Sequence, residues 1–324
     1  MVLKNKRIQE LRYKPGIRKK LKIAFLGCIL VLLYLKIKDL GVSEPSIVDI
    51  LKSLSGNLGY FFTAIALLFL NYFLEIKKWQ VLTSPIEERS MAEAIGDVLK
   101  GLRIGLFTPF MIGDFIGRSL GFSKKNRTEA MAANFFNSIC QTYTAIFLGA
   151  LSFLFWWGIS EGPLKGLLLF PTLVFCVAAF LGLFFVFKVK VSWQFLDKIN
   201  FLKVYLNPET LEMSLSNALI FKVLILSFAR SLVYNVQFYL FYISLGINLP
   251  KLVIFIGVNL ILLIKTVGGG LNVLGDLSLR ELVSLHFFGL YKVNAGLILI
   301  ATFIVWFFNI FVPVLLGLLF KSKS

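Results

Sequence analysis

The residues best suited to chemistry in this chain fall into two matching sets. Gly113-Asp114-Phe115-Ile116-Gly117-Arg118 is answered by Gly275-Asp276-Leu277-Ser278-Leu279-Arg280. Asp114 and Asp276, Arg118 and Arg280, and, upstream of them, Arg103 and Lys265 are each separated by 162 positions. Each half therefore carries a cation, then a Gly-Asp, then an arginine four residues beyond the aspartate. On a helix, Asp and Arg at that spacing share a face and can pair. A glycine just before the aspartate permits a tight turn or a close backbone approach. Both sets lie in surroundings apolar enough for a bilayer, where an ionisable side chain costs at least ~2.5–3.5 kcal/mol unless it is paired or wetted. An internal ion pair that fixes local structure would account for one copy. Two copies at one offset, each with a matching upstream cation, point to use.

The sets are also unbalanced. Arg103 and Arg118 face one acid, Asp114, while Lys265 and Arg280 face Asp276 and Glu281. Half-helix amino ends would add partial positive charge at the turns. The guest favoured by such an arrangement is an anion held at mid-depth, such as a lipid phosphate. Arg230, alone in a later apolar run, needs a carboxylate, a phosphate or water as well.

The elements that must position these residues follow from composition. The chain has 324 residues, of which 58% are hydrophobic, with 34 Phe. Soluble domains run at about 45–50% apolar, and several runs here exceed the ~18 residues that span a bilayer. The chain therefore reads as an integral membrane protein. The net charge is +17. In a soluble protein that would suggest nucleic acid. Here the Lys and Arg cluster at helix ends and in short loops, so the positive-inside rule accounts for them and nucleic acid is not an expected partner. Cys28, Cys140 and Cys176 each stand alone in apolar runs, without disulfide or zinc spacing. His286 lies beside Phe287 and Phe288 and reads as an interfacial side chain. No metal and no cofactor are expected.

In chain order, residues 1–20 read as a basic cytoplasmic tail and 21–324 as a single membrane domain. Leu21 to Ile37 reads as an uncleaved signal-anchor helix, and 38–56 as an outer loop or surface helix. The next span runs from about Leu58 to Ile76, with Asn71 and Glu75 on one face, and Lys77, Lys78 and Trp79 closing it at the cytoplasmic interface. Ser84-Pro85 is expected to start an amphipathic surface helix reaching Lys100, with Glu87 and Glu88 in its first turn. Gly101, Gly105, Pro109, Gly113, Gly117 and Gly121 break the first signature region too often for an ordinary span. Irregular backbone at that depth is tolerated only when buried in protein or lining water, so a re-entrant hairpin is expected.

Residues 129–157 form a span that ends on Trp156-Trp157. Its Asn134, Asn137 and Gln141 read as interhelical hydrogen-bonding groups. Leu164 to Phe187 returns, with Pro171 a kink. Residues 188–214 read as cytoplasmic. Further spans run from about Leu215 to Ile247 and from Asn294 to Phe320, flanking a second hairpin built on Leu252–Ile264 and the second signature. Counting spans between basic loops gives an all-α polytopic protein with six full transmembrane helices and two re-entrant hairpins. The first hairpin opens inward and the second outward. The first repeat (about 57–157) and the second (about 215–320) are then an inverted repeat, an architecture common among transporters. Both termini would be cytoplasmic, in a bacterial plasma membrane.

Pro109 followed by Gly113-Asp114 and Arg118, and then Gly275-Asp276-Leu277-Ser278-Leu279-Arg280-Glu281 before a closing apolar span, resembles the membrane region of the lysylphosphatidylglycerol synthase/flippase family. The likeness covers roughly residues 20–320. It implies movement of aminoacylated or other phospholipids between leaflets, without the soluble synthase domain of that family. Leu271-Asn272-Val273-Leu274 stands where the family has a Pro-Gly-Gly type of turn. The expected partners are anionic or aminoacylated phospholipids, with a homo-oligomer left open. On this reading Arg103, Arg118, Arg230, Lys265 and Arg280 draw the phosphate, Asp114, Asp276 and Glu281 balance them, and Gly113, Gly275 and Pro109 shape the turns. The alternatives are an intramembrane lipid-modifying enzyme and a non-transporting scaffold for an envelope enzyme.

Overall fold

The computed structural model describes residues 47–106, 108, 111–188, 215–268 and 273–319. The basic tail, the expected signal-anchor helix, nearly all of the segment expected to be cytoplasmic (189–214) and Pro109 lie outside these described residues. Among the described residues all regular structure is helical: α1 (Ile47–Gly56), α2 (Leu58–Thr83), α3 (Met91–Leu106), α4 (Ile112–Ser119), α5 (Arg127–Ile159), α6 (Gly162–Phe187), α7 (Asn217–Ser244), α8 (Lys251–Val267), α9 (Val273–Gly289) and α10 (Ala295–Trp306). A π-helical turn (Phe307–Phe311) then leads to α11 (Val312–Leu319).

Five helices are long and apolar enough to cross a bilayer: α2, α5, α6, α7 and the continuous Ala295–Gly317 segment. They are five of the six expected spans, and the sixth falls outside the described residues. Their outward side chains are large and apolar. Phe170 and Phe180 of α6, for example, are exposed, as lipid-facing residues would be. Pro171 lies within α6, and the helix continues through it.

Helix order recurs along the chain. Shifted by the offset of the signatures, α2 falls on α7, α3 on α8, α4 on α9, and α5 on the α10–α11 segment. Packing is reciprocal as well. The two first helices, α2 and α7, lie against each other. The last helix of the first half, α5, packs on α8, and the last of the second half, α11, packs on α3. Two apolar clusters result. One gathers Trp79, Leu82, Val98, Phe136 and Val223. The other gathers Phe238, Phe241, Ile254, Phe288 and Ile298. Along α2 and α7 the polar residues fall between these clusters.

Three expectations of local structure are corrected. The helix expected at Ser84-Pro85 begins at Met91, because Ser90 and Glu93 close a capping box: Glu93 N donates to Ser90 Oγ at 3.3 Å and Ser90 N donates to Glu93 Oε2 at 2.9 Å. Glu87 lies in the preceding loop and instead accepts from Asn126 Nδ2 at 3.0 Å. The amphipathic segment to Lys100 is no separate surface helix; it continues to Leu106 as one leg of a helix–turn–helix pair with α4. Lys78 and Trp79 do not mark an interface. Both are fully buried, because α2 runs on to Thr83 and turns that face inward.

The glycines of the first signature act mainly by contact. A methyl group on Gly117 would lie 2.7 Å from Gly101 Cα and from Lys100 O, and one on Gly113 would lie 2.5 Å from Ile104 O. Gly101 and Gly105 on α3 thus meet Gly113 and Gly117 on α4, two small-xxx-small faces pressed backbone to backbone. The break itself is confined to the turn. There Thr108 Oγ1 accepts from Gly113 N at 2.8 Å, and Met111 adopts a left-handed φ of 51°.

Candidate functional site

A cavity of about 590 Å³ lies between the two halves. All four helix positions of the repeat contribute to its wall in both halves. Among the charged residues expected to form a site, Asp114, Arg118, Arg230, Lys265, Asp276 and Arg280 line it. Arg103 and Glu281 do not lie on the wall. Arg103 sits half-buried in the last turn of α3, and Glu281 half-buried on α9 beside Arg280.

Both i, i+4 pairs form as their spacing predicts. Arg118 Nε lies 3.0 Å from Asp114 Oδ1, and Arg280 Nε lies 2.9 Å from Asp276 Oδ2. Each arginine then reaches across to the first helix of a repeat. Arg118 Nη1 donates to Glu75 Oε1 on α2 at 2.8 Å, and Arg280 Nη1 donates to Tyr234 Oη on α7 at 2.6 Å. The first arginine therefore answers two carboxylates, and the second answers one carboxylate and a phenol. Trp79 stacks against the first, with the Arg118 guanidinium 5.5 Å from its ring centre.

Glu75 is the hub of the network. Its Oε2 lies 3.0 Å from Lys78 Nζ and 3.0 Å from Arg230 Nη1, while Oε1 takes Arg118. Around it, Asn137 Nδ2 donates to Glu75 Oε1 at 3.2 Å and Asn134 Nδ2 donates to Asp114 Oδ2 at 2.9 Å. Gln141 Oε1 accepts from Lys78 Nζ at 3.1 Å, and Arg230 Nε donates to Asn71 Oδ1 at 2.9 Å. Buried charge is tolerable only with such pairing and hydrogen bonding. Glu75 was visible in the sequence only as a face-mate of Asn71. Lys78, which reads from the sequence as an end-of-helix anchor, is instead fully buried. The polar side chains of α5 do bond between helices, but to the charges rather than to one another alone.

No family model and no curated sequence matches the chain. The site is therefore read from its own geometry.

Five cations on the wall (Lys78, Arg118, Arg230, Lys265 and Arg280) face three carboxylates (Glu75, Asp114 and Asp276). They are not equally engaged. The side chains of Arg118 and Arg280 are only 5% and 3% exposed, whereas Arg230 is 27% and Lys265 34% exposed. Lys265 Nζ stands 3.8 Å from Asp276 Oδ1, beyond hydrogen-bond distance. Trp306, which also lines the cavity, turns its buried indole Nε1 toward the Asp276 carboxylate. Nothing in the sequence marked Trp306 for this. Trp306 is the last residue of α10, just before the π-helical turn, in which Asn309 O accepts from Tyr72 Oη at 2.7 Å. Among the described residues no group of His, Cys, Asp and Glu could hold a metal ion.

Proposed function

We propose that this protein is a lipid flippase-like carrier that binds the anionic head group of a phospholipid or lipid-linked substrate in the cavity between its halves. The observation that carries this reading is the cavity wall itself, built from both halves and holding five cations against three carboxylates. Arg230 and Lys265, the cations with surface open to the cavity, would meet the head group. Arg118 and Arg280 would hold the paired helices in place through Asp114 and Asp276. The apolar part of the wall, with Val98, Leu102, Ile310 and Val314 on α3 and the α10–α11 segment, suits the start of an acyl chain.

The pairs α3–α4 and α8–α9 would enter the membrane from opposite sides, as halves of an inverted repeat do in many transporters. The reciprocal packing of α5 on α8 and α11 on α3 supports that arrangement. The resemblance to the lysylphosphatidylglycerol synthase/flippase membrane region points the same way. On this reading the protein sits in a plasma membrane with both termini cytoplasmic.

Reconstitution in proteoliposomes tests the reading. A fluorescent anionic phospholipid should become accessible to an impermeant quencher faster than in protein-free vesicles, and a neutral analogue should not. Equal rates with and without protein would contradict it.

A further inference from the structure

The charges of the cavity wall do more than select an anion; they set how much charge it carries. Every carboxylate on the wall is already engaged. Glu75 serves Lys78, Arg118 and Arg230, Asp114 serves Arg118, and Asp276 serves Arg280. The described wall residues thus keep a formal surplus of two positive charges, five cations less three carboxylates. The uncharged side chains cannot offset it. Asn137 and Gln141 are committed to the first-half network, and the Trp306 indole N–H is turned toward the Asp276 carboxylate. The surplus is localised where the second half has a phenol in place of a second carboxylate: at Arg280 and Lys265, with Arg230 on the adjoining helix.

Resting on the proposed function, we infer that the cavity takes a dianionic phosphoryl group, a phosphomonoester or a diphosphate, in preference to a monoanionic phosphodiester. A monoester has its second ionisation near pH ~6 and so carries about two negative charges at and above neutral pH. It also offers three acceptor oxygens, enough for Lys265 and Arg230 together. A phosphodiester head group would leave one cation uncompensated in a low-dielectric wall.

Binding of phosphatidic acid and of phosphatidylglycerol to the full-length protein in phosphatidylcholine nanodiscs distinguishes them, with inorganic phosphate and pyrophosphate as soluble probes. Phosphatidic acid should bind at least about tenfold more tightly, a difference of ~1.4 kcal/mol. Lys265→Gln, which removes one surplus charge, should shrink that preference toward equality; Arg230→Gln serves as a second variant should the first fold poorly. If the soluble anions bind and phosphatidic acid does not, the dianion inference holds and the lipid source is wrong. Equal binding of the two lipids by the unmodified protein overturns the inference and leaves the flippase reading intact. Binding of no anion at all overturns both.

Discussion

Arg118 and Glu75 stand 43 positions apart in sequence and 2.8 Å apart through Nη1 and Oε1. That contact joins the first helix–turn–helix pair to the long helix α2. It also places Glu75 where Lys78 and Arg230 can share its other oxygen. A single carboxylate thus contacts cations from three helices.

Removing that carboxylate should be costly. Glu75→Gln would leave Lys78, Arg118 and Arg230 with less compensation in a buried setting. Breaking a buried ion pair from one side destabilises by about 3–5 kcal/mol. The detergent-solubilised variant should therefore unfold well below the unmodified protein. Asp276→Asn should cost less, because the Asp276 side chain is 21% exposed. Equal thermal shifts for the two variants would argue against Glu75 as the hub.

The close approach of α3 and α4 makes a second prediction. Gly117→Ala would place a methyl 2.7 Å from the backbone of Gly101 and Lys100, and backbone cannot yield as a flexible side chain can. Overpacking of this kind costs about 1–3 kcal/mol. Gly96→Ala on the same α3 meets nothing within 4 Å and should be neutral or slightly stabilising, since alanine is the better helix former. The two melting temperatures, measured side by side, check this.

The start of α3 is held by its capping box, outside the five spanning helices. Hydrogen bonds from the backbone N and Oγ of Ser90, with Arg89 nearby, hold the Glu93 carboxyl below its ordinary value. A depressed carboxyl contributes stability above its unfolded-state value, and that contribution is lost as pH falls through the folded-state value. Ser90→Ala should cost about 1 kcal/mol at neutral pH, and the gap to the unmodified protein should narrow on acidification. Melting curves across the acid range would show the gap closing; a constant gap would mean that the pair with Glu93 plays no part.

Much of this was legible in the sequence. The all-helical class, five of the spans and the i, i+4 pairing of both Asp-Arg sets follow from hydropathy and helical spacing. The site was legible where a charge stood alone in an apolar run, as Arg230 does. It was not legible where a charge sat near a helix end. Lys78 looks like an interfacial anchor because it follows Lys77, yet α2 continues another turn and buries it. Arg103 obeys the same offset as Lys265 but sits off the cavity wall, because a repeat in sequence does not force equal side-chain directions in the two halves. The glycines read as interruptions, whereas four of them are contact points that only the folded pair α3–α4 reveals. Trp306 was not legible, because a lone Trp near a helix end in an apolar run carries no mark of the charged side chains it meets.

The proposal that the two helix pairs enter from opposite sides is open to direct test. In a background with Cys28, Cys140 and Cys176 replaced, Lys125→Cys follows α4 and Leu290→Cys follows α9, and both positions are exposed. An impermeant thiol reagent should label Lys125→Cys only from the cytoplasmic side and Leu290→Cys only from the outside. Labelling of both from one side would place the two pairs in the same orientation.

The division between cations that hold the fold and cations that face the cavity is tested most directly by leaflet transfer in Lys265→Gln proteoliposomes. The expected result is a melting temperature close to that of the unmodified protein, because Lys265 is partly exposed and 3.8 Å from its carboxylate, together with at least a tenfold slower transfer of anionic lipid. Undiminished transfer by the stably folded variant would contradict the account.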